Sequence, residues 1–107
     1  MSDYDSLFES VKGIVETLQT LNQRAVREYR PIVEDILRSG SRDTRQIERT
    51  LDGLLDFCGY EPALVLFKKL CRHYFDIDPA ATADYIRFYR EMWDSEPEEP
   101  SSGAVGG

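Results

Sequence analysis

The chain has 107 residues, of which 41% are hydrophobic and 31% charged, so size and composition favour one globular domain and exclude wholesale disorder. No apolar run approaches the roughly 20 residues that a helix needs to cross a bilayer. The net charge of −7 is concentrated at one end, because residues 91–107 carry five of the 20 acidic side chains and none of the 13 basic ones.

The first predicted element is a long amphipathic helix. Apolar residues recur at alternating spacings of four and three, which is the spacing of a heptad seam: Leu7, Val11, Ile14, Leu18, Leu21 and Ala25. Phe8 and Val15 widen this stripe on one side. Pro31 follows, and because proline removes a hydrogen-bond donor and clashes one turn back, a straight uninterrupted helix is not expected. Two alternatives remain: one long helix kinked near residues 27–31, or two helices with Pro31 at the start of the second.

Later helices are marked by capping residues. Gly40 suits a left-handed C-cap, and Ser41 or Asp43 can cap the next helix, with Gln46 at capping-box spacing from Asp43. Gly59 is a candidate C-cap, and Pro62 is suited to the first turn of the following helix. Asp78 and Pro79 then begin the last helix, which runs to about Asp94.

The fold class that follows is all-α: a compact bundle of four to five helices, with a long first helix kinked or broken near Pro31 and a disordered acidic C-terminal tail. Residues 1–94 form the single domain. Residues 95–107, rich in Pro, Gly, Ser and Glu, form the tail.

Aromatic residues are dense in the stretch CRHYFDIDPAATADYIRFYREMWD, residues 71–94, which contains the only histidine and the only tryptophan. Six rings fall on the inner faces of the last two helices and are interpreted as core: Tyr74, Phe75, Tyr85, Phe88, Tyr89 and Trp93. The remaining ring, His73, falls at the boundary between the apolar face and the lysines.

Catalytic, cofactor and metal sites are not predicted. One histidine and two distant cysteines cannot supply a metal site without carboxylates, and no glycine-rich phosphate loop is present. In a helical hairpin, Cys58 and Cys71 would lie roughly 13 Å apart along the helices, too far for a disulfide, so we expect buried reduced thiols. The first residues, MSDYDSLFES, are acidic where a secretory signal is basic and then apolar, so we expect a cytoplasmic protein.

Basic residues form two strips, one around Arg38–Arg49 and one at Lys68, Lys69 and Arg72. Either could meet phosphates. Acidic residues interrupt the first strip, and the pI of about 4.6 opposes non-specific nucleic-acid affinity, so direct nucleic-acid binding is not favoured. Docking of an acidic protein, or simple solvation, explains the strips better.

The first helix is the most informative feature for function. About 26 residues before Pro31 span roughly 39 Å, whereas helices of about 15 residues span roughly 22 Å. The stripe is therefore expected either to be covered by a bend at Pro31 together with the last helix, or to remain partly exposed and pack against a second copy or another protein. The predicted interaction surface comprises Leu7, Val11, Ile14, Leu18, Leu21, Lys68, Lys69 and Arg72.

The function that these patterns favour is that of a small cytosolic, non-enzymatic interaction or regulatory module that acts through helical surfaces. Its partner would be another protein or itself as a homodimer; no cofactor, membrane or small-molecule ligand is predicted. The alternative is a small acidic inhibitor of a nucleic-acid-acting enzyme, of the anti-restriction or anti-CRISPR type, that binds the enzyme's basic groove. That alternative depends on the small size, the low pI and the acidic C-terminal end.

Overall fold

The computed structural model describes residues 3–94, with side chains from Ser6 onward. This part of the chain is all-helical, without strands, as the sequence predicts, and it contains four helices. They are α1 (Asp3–Ser39), α2 (Thr44–Leu55), α3 (Glu61–Phe75) and α4 (Pro79–Trp93). The predicted tail, residues 95–107, lies outside the described residues.

Helix α1 continues through Pro31 for 37 residues, so the alternative of two separate helices is not realised. Pro31 and Arg27, whose carbonyl loses its helical partner at the proline, both lie on the exposed side of α1. Water can reach the carbonyl there. On the opposite side Val26 and Val33 are buried in the core, which holds the two ends of the interrupted turn in one helix.

Local hydrogen bonds fix the turns at the positions that the sequence predicts. Gly40 has a φ of 65°, and the Ser41 amide donates to the Ile36 carbonyl over 3.1 Å, which closes α1 with a left-handed C-cap. The Asp43 carboxylate accepts a hydrogen bond from the backbone N–H of Gln46 over 3.2 Å, and the Asp78 carboxylate accepts one from the backbone N–H of Ala81 over 3.0 Å. The cap predictions for α2 and α4 are therefore confirmed.

The core is centred on α3, which packs against each of the other three helices, while α1 also packs against α2. The largest fully buried side chains come from α1, α2, α3 and α4: Val33, Ile36, Ile47, Leu51, Leu54, Leu70, Tyr74 and Thr82. Among the side chains of α1 that the structure describes, from Ser6 to Ser39, the buried ones begin at Ala25. The first half of this helix, which has the same apolar periodicity, takes no part in this core.

The rings of residues 71–94 are divided between core and surface. Tyr74 and Tyr85 are buried, but Phe75, Phe88 and Trp93 are 55%, 40% and 44% exposed. The prediction that all of these rings belong to the core is wrong for these three. The apolar face of α4 is wider than the surface with which its neighbours cover it. The helical period of the sequence predicts such a face, but it does not predict how much of the face other helices cover.

Hydrogen bonds from the two tyrosine hydroxyls and from the indole of Trp93 tie these side chains to α2. The Tyr85 hydroxyl donates to the Asp52 carboxylate over 2.8 Å, and the Tyr74 hydroxyl donates to Glu48. The Trp93 indole N–H donates to the Leu55 carbonyl over 2.8 Å. These bonds all link back to α2, which fixes how α3 and α4 are oriented against it.

Gly59 does not act as the predicted left-handed cap. Helix α2 ends at Leu55, its C-cap residue Asp56 has right-handed helical dihedrals, and Gly40 is the glycine with positive φ in the described part of the chain. The requirement at Gly59 is instead close approach: a Cβ there would lie 2.6 Å from the Trp93 ring.

Gly59→Ala is therefore expected to lower the free energy of unfolding by about 1–3 kcal/mol, because the indole must shift and strain its bond to Leu55. Gly13→Ala is the matched control, since nothing lies within 4 Å of a Cβ at Gly13 and alanine favours the helix. Urea unfolding followed by the fluorescence of Trp93 measures both. A Gly59→Ala variant with wild-type stability and emission would contradict the close contact.

Candidate interaction surfaces

The first half of α1 carries an exposed apolar stripe. We define the α1 seam as seven residues whose side chains are between 46% and 67% exposed: Leu7, Phe8, Val11, Ile14, Val15, Leu18 and Leu21. Five of these residues were predicted from the sequence as an interaction surface, and Phe8 and Val15 widen it as the periodicity indicates. Neither a bend at Pro31 nor packing of α4 covers the stripe.

The seam is continuous with the face of α1 that the core buries. Leu21 is 46% exposed, whereas Ala25, one turn later, is 6% exposed, and Val33 and Ile36 are fully buried on the same side of the helix. Helices α2 and α3 cover that side from Ala25 onward. One apolar face of one helix is therefore covered along its second half and bare along its first.

The bare half represents a substantial free energy of burial. Complete burial of a Val, Leu, Ile or Phe side chain stabilises by about 1.5–3 kcal/mol. Seven side chains that are about half exposed together represent roughly 5–10 kcal/mol. Single exposed apolar residues are ordinary on a protein surface, whereas contiguous apolar rows of this extent are typical of interaction surfaces.

The seam itself carries no charged side chain. At 100° per residue, Ser10 and Thr17 border it on one side and Gln19 and Lys12 on the other, while Glu9 and Glu16 lie on the opposite face of the helix. A partner docked on this surface would therefore be held mainly by packing against apolar side chains. Ion pairing can contribute little along residues 7–21.

A second apolar surface is a groove of about 580 Å³ between α3 and α4. Its apolar lining residues are Leu64, Phe67, Cys71, Phe75, Ile86 and Tyr89. Of the three basic residues predicted as part of the interaction surface, Lys68 and Arg72 line this groove together with Arg90, and Lys69 lies exposed elsewhere on α3. Asp76 and Asp94 also line it, so cations and carboxylates both face the groove.

The apolar residues of this groove were not identified from the sequence as a surface, because they were interpreted as core. The signal that could have found them is the width of the apolar face of α4. That face extends through Ile86, Phe88 and Met92, which are 43%, 40% and 49% exposed. A face this wide needs more covering surface than one neighbouring helix supplies.

The histidine and the two cysteines, which are the residue types most suited to catalysis or metal binding, occupy structural positions. The His73 Nε2 lies 2.7 Å from the Ser41 carbonyl, a hydrogen bond that ties α3 to the turn after α1. Cys58 and Cys71 are free and buried, and burial raises the pKa of each thiol to about 12, which makes both weak nucleophiles. Within residues 3–94, no cluster of three or more His, Cys, Asp or Glu side chains could hold a metal ion.

The helices that the structure describes include none that is both long and apolar enough to cross a membrane. In comparisons with known proteins, no protein-family model, no curated protein and no solved structure matches the chain.

Proposed function

We propose that the protein is a small, non-enzymatic, cytosolic interaction or regulatory module, and that it acts by binding a helix of another polypeptide along the α1 seam. The observation that carries the proposal is the abrupt change in exposure between Leu21 and Ala25 on one continuous apolar face. The exposed half of this face continues the half that packs in the core. It is therefore suited to pack against another polypeptide in the same way.

A helix is the ligand that the seam fits best. Its residues alternate at spacings of four and three, the pattern into which the side chains of a second helix interdigitate as knobs into holes. From Leu7 to Leu21 the seam extends over about four helical turns, or roughly 21 Å. A lipid surface fits less well, because helices that lie on membranes carry abundant Lys and Arg on the polar face, and residues 7–21 contain one lysine and no arginine.

The paired substitution Ile14→Asp with Leu18→Asp tests the proposal. Two charges placed in the middle of the seam are expected to lower binding to a partner helix at least tenfold, because each carboxylate would be desolvated in an apolar contact. The measurement is the yield of the partner in pull-downs from lysate with the tagged protein as bait, read by mass spectrometry.

The matched control is Thr20→Asp with Gln23→Asp, which adds the same charge to the same helix outside the seam. Circular dichroism of both variants checks that the helical content is kept. Recovery of the same proteins by the seam variant as by the wild type would contradict the proposal. Loss of binding by the control as well would point to a general effect of negative charge on α1.

A further inference from the structure

We propose that the occupant of the α1 seam is the α1 seam of a second copy of this chain, running antiparallel, so that the two chains form a symmetric homodimer. This inference rests on the proposed function, since it names the partner helix for the same surface. The length of the seam, its position relative to the domain, its charge and its area each favour this occupant.

The position of the seam limits which helix can occupy it. A helix that lies on the seam meets the domain near Ala25, because α2 and α3 already cover the same face from that residue onward. The occupant must therefore end, or turn away, at this boundary. It must also be apolar over about four turns, which is the length of the free part of α1.

A second α1 meets these requirements in one orientation. In the antiparallel arrangement, Val11 lies opposite Leu21 of the second copy and Ile14 lies opposite Leu18 of the second copy, with the two-fold axis at the level of residue 16. Leu7, about one turn from the N-terminal end of each α1, then lies at the level of Ala25 of the other copy, at the domain boundary. In a parallel arrangement the second halves of both α1 helices would have to pack side by side through a face that α2 and α3 occupy.

Charge permits this self-association. The facing positions are Val, Leu and Ile, and the flanks place Thr17 beside Thr17 of the second copy and Val15 beside Val15 of the second copy. Glu9, Lys12 and Glu16 stay outside the contact. Despite the net charge of −7 per chain, no like-charged side chains oppose each other between residues 7 and 21.

The available area is at the lower limit for a specific dimer. Completing the burial of a half-exposed aliphatic side chain removes roughly 70 Å² from water. Seven such side chains on each copy amount to about 1,000 Å², which is the approximate minimum for a biological interface. We therefore expect a reversible dimer with a dissociation constant of roughly micromolar order.

Sedimentation velocity of the full chain between about 1 and 200 µM measures the assembly. The expected result is a concentration-dependent shift toward twice the mass of the 12.3 kDa chain. Ile14→Asp with Leu18→Asp should weaken the dimer at least 100-fold, and Thr20→Asp with Gln23→Asp should leave it unchanged. A dimer that persists in the seam variant would overturn the proposed interface.

Orientation is tested with two single-cysteine additions on the same exposed flank of α1. In the antiparallel dimer, Thr17 of the two copies differ by about 3 Å along the axis, whereas Ser10 of the two copies differ by about 18 Å. Thr17→Cys should therefore oxidise rapidly to a covalent dimer and Ser10→Cys should not. The native Cys58 and Cys71 are buried, so the protein without an added cysteine gives the background level of cross-linking. Equal cross-linking of the two variants would overturn the antiparallel arrangement.

The two proposals fail in different ways. A protein that is monomeric at 200 µM but still captures a different protein through the seam overturns the homodimer and leaves the proposed function standing. A monomer whose pull-downs are indifferent to the seam substitutions overturns both. The cross-linking pair keeps the seam residues themselves intact, so the conclusion does not depend on the folding of the seam variant.

Discussion

Leu51→Ala is expected to lower the free energy of unfolding by about 2–5 kcal/mol, whereas Leu18→Ala should change the stability of the monomer by no more than about 0.5 kcal/mol. Both substitutions remove the same atoms from a leucine on the apolar face of a helix. Leu51 is fully buried between helices, so its truncation leaves a cavity. Leu18 is 55% exposed, so its truncation leaves none.

Urea unfolding followed by circular dichroism compares the two variants at a concentration well below that at which the wild type associates. Repeating the measurement at high concentration adds a second expectation. Leu18→Ala should then lose the extra stability that association gives the wild type, because binding to the folded state alone stabilises it by mass action. Equal losses for Leu51→Ala and Leu18→Ala at low concentration would place the seam in the monomer's own core and contradict its exposure.

Turns and caps were predictable from the sequence because they depend on neighbouring residues. Gly40 adopts positive φ where a helix must end, and the Asp43 and Asp78 carboxylates reach amides three residues ahead. The all-helical fold class follows from the apolar period for the same local reason. Gly59 shows the limit: its role is set by Trp93, 34 positions away, and no local pattern reveals that contact.

Packing between helices was less predictable, because the sequence pattern shows which face of a helix is apolar but not which other helix covers it. Tyr74 and Phe75 are adjacent and both were assigned to the inner face of α3, yet Tyr74 is fully buried and Phe75 is 55% exposed. The difference arises because Glu48 of α2 lies where it can accept from the Tyr74 hydroxyl, and α4 does not close over Phe75.

The two candidate surfaces differ in how much of them the sequence could reveal. The seam follows from one helix being longer than its neighbours, which is a comparison of lengths. The α3–α4 groove requires knowing that two adjacent helices leave a gap between them. From the sequence, the positive charge of Lys68 and Arg72 was apparent, but the apolar lining beside it was not.

Raising the pH from 8 to 10.5 is expected to lower the free energy of unfolding by up to about 5 kcal/mol through the two thiols alone. Burial raises the pKa of Cys58 and Cys71 to about 12, whereas a thiol in the unfolded chain titrates near 8.5. Burial also raises the pKa of Tyr74 and Tyr85, and hydrogen bonds to Glu48 and Asp52 add to this.

The free energy of unfolding falls with rising pH because the folded state binds these protons more tightly than the unfolded state does. The folded protein keeps these groups protonated, so their stabilising contribution is complete below about pH 8.5 and declines as the pH rises toward the folded-state pKa. The decline is about 1.4 kcal/mol per pH unit for each group that is ionised only in the unfolded chain. Urea unfolding at pH 7, 8, 9, 10 and 10.5 measures the slope. Cys58→Ala with Cys71→Ala is the control: it should be less stable at pH 7 yet show a shallower decline, because the tyrosines alone then contribute above pH 10. A wild-type stability that stays constant from pH 7 to 10 would contradict the burial of both thiols in the folded state.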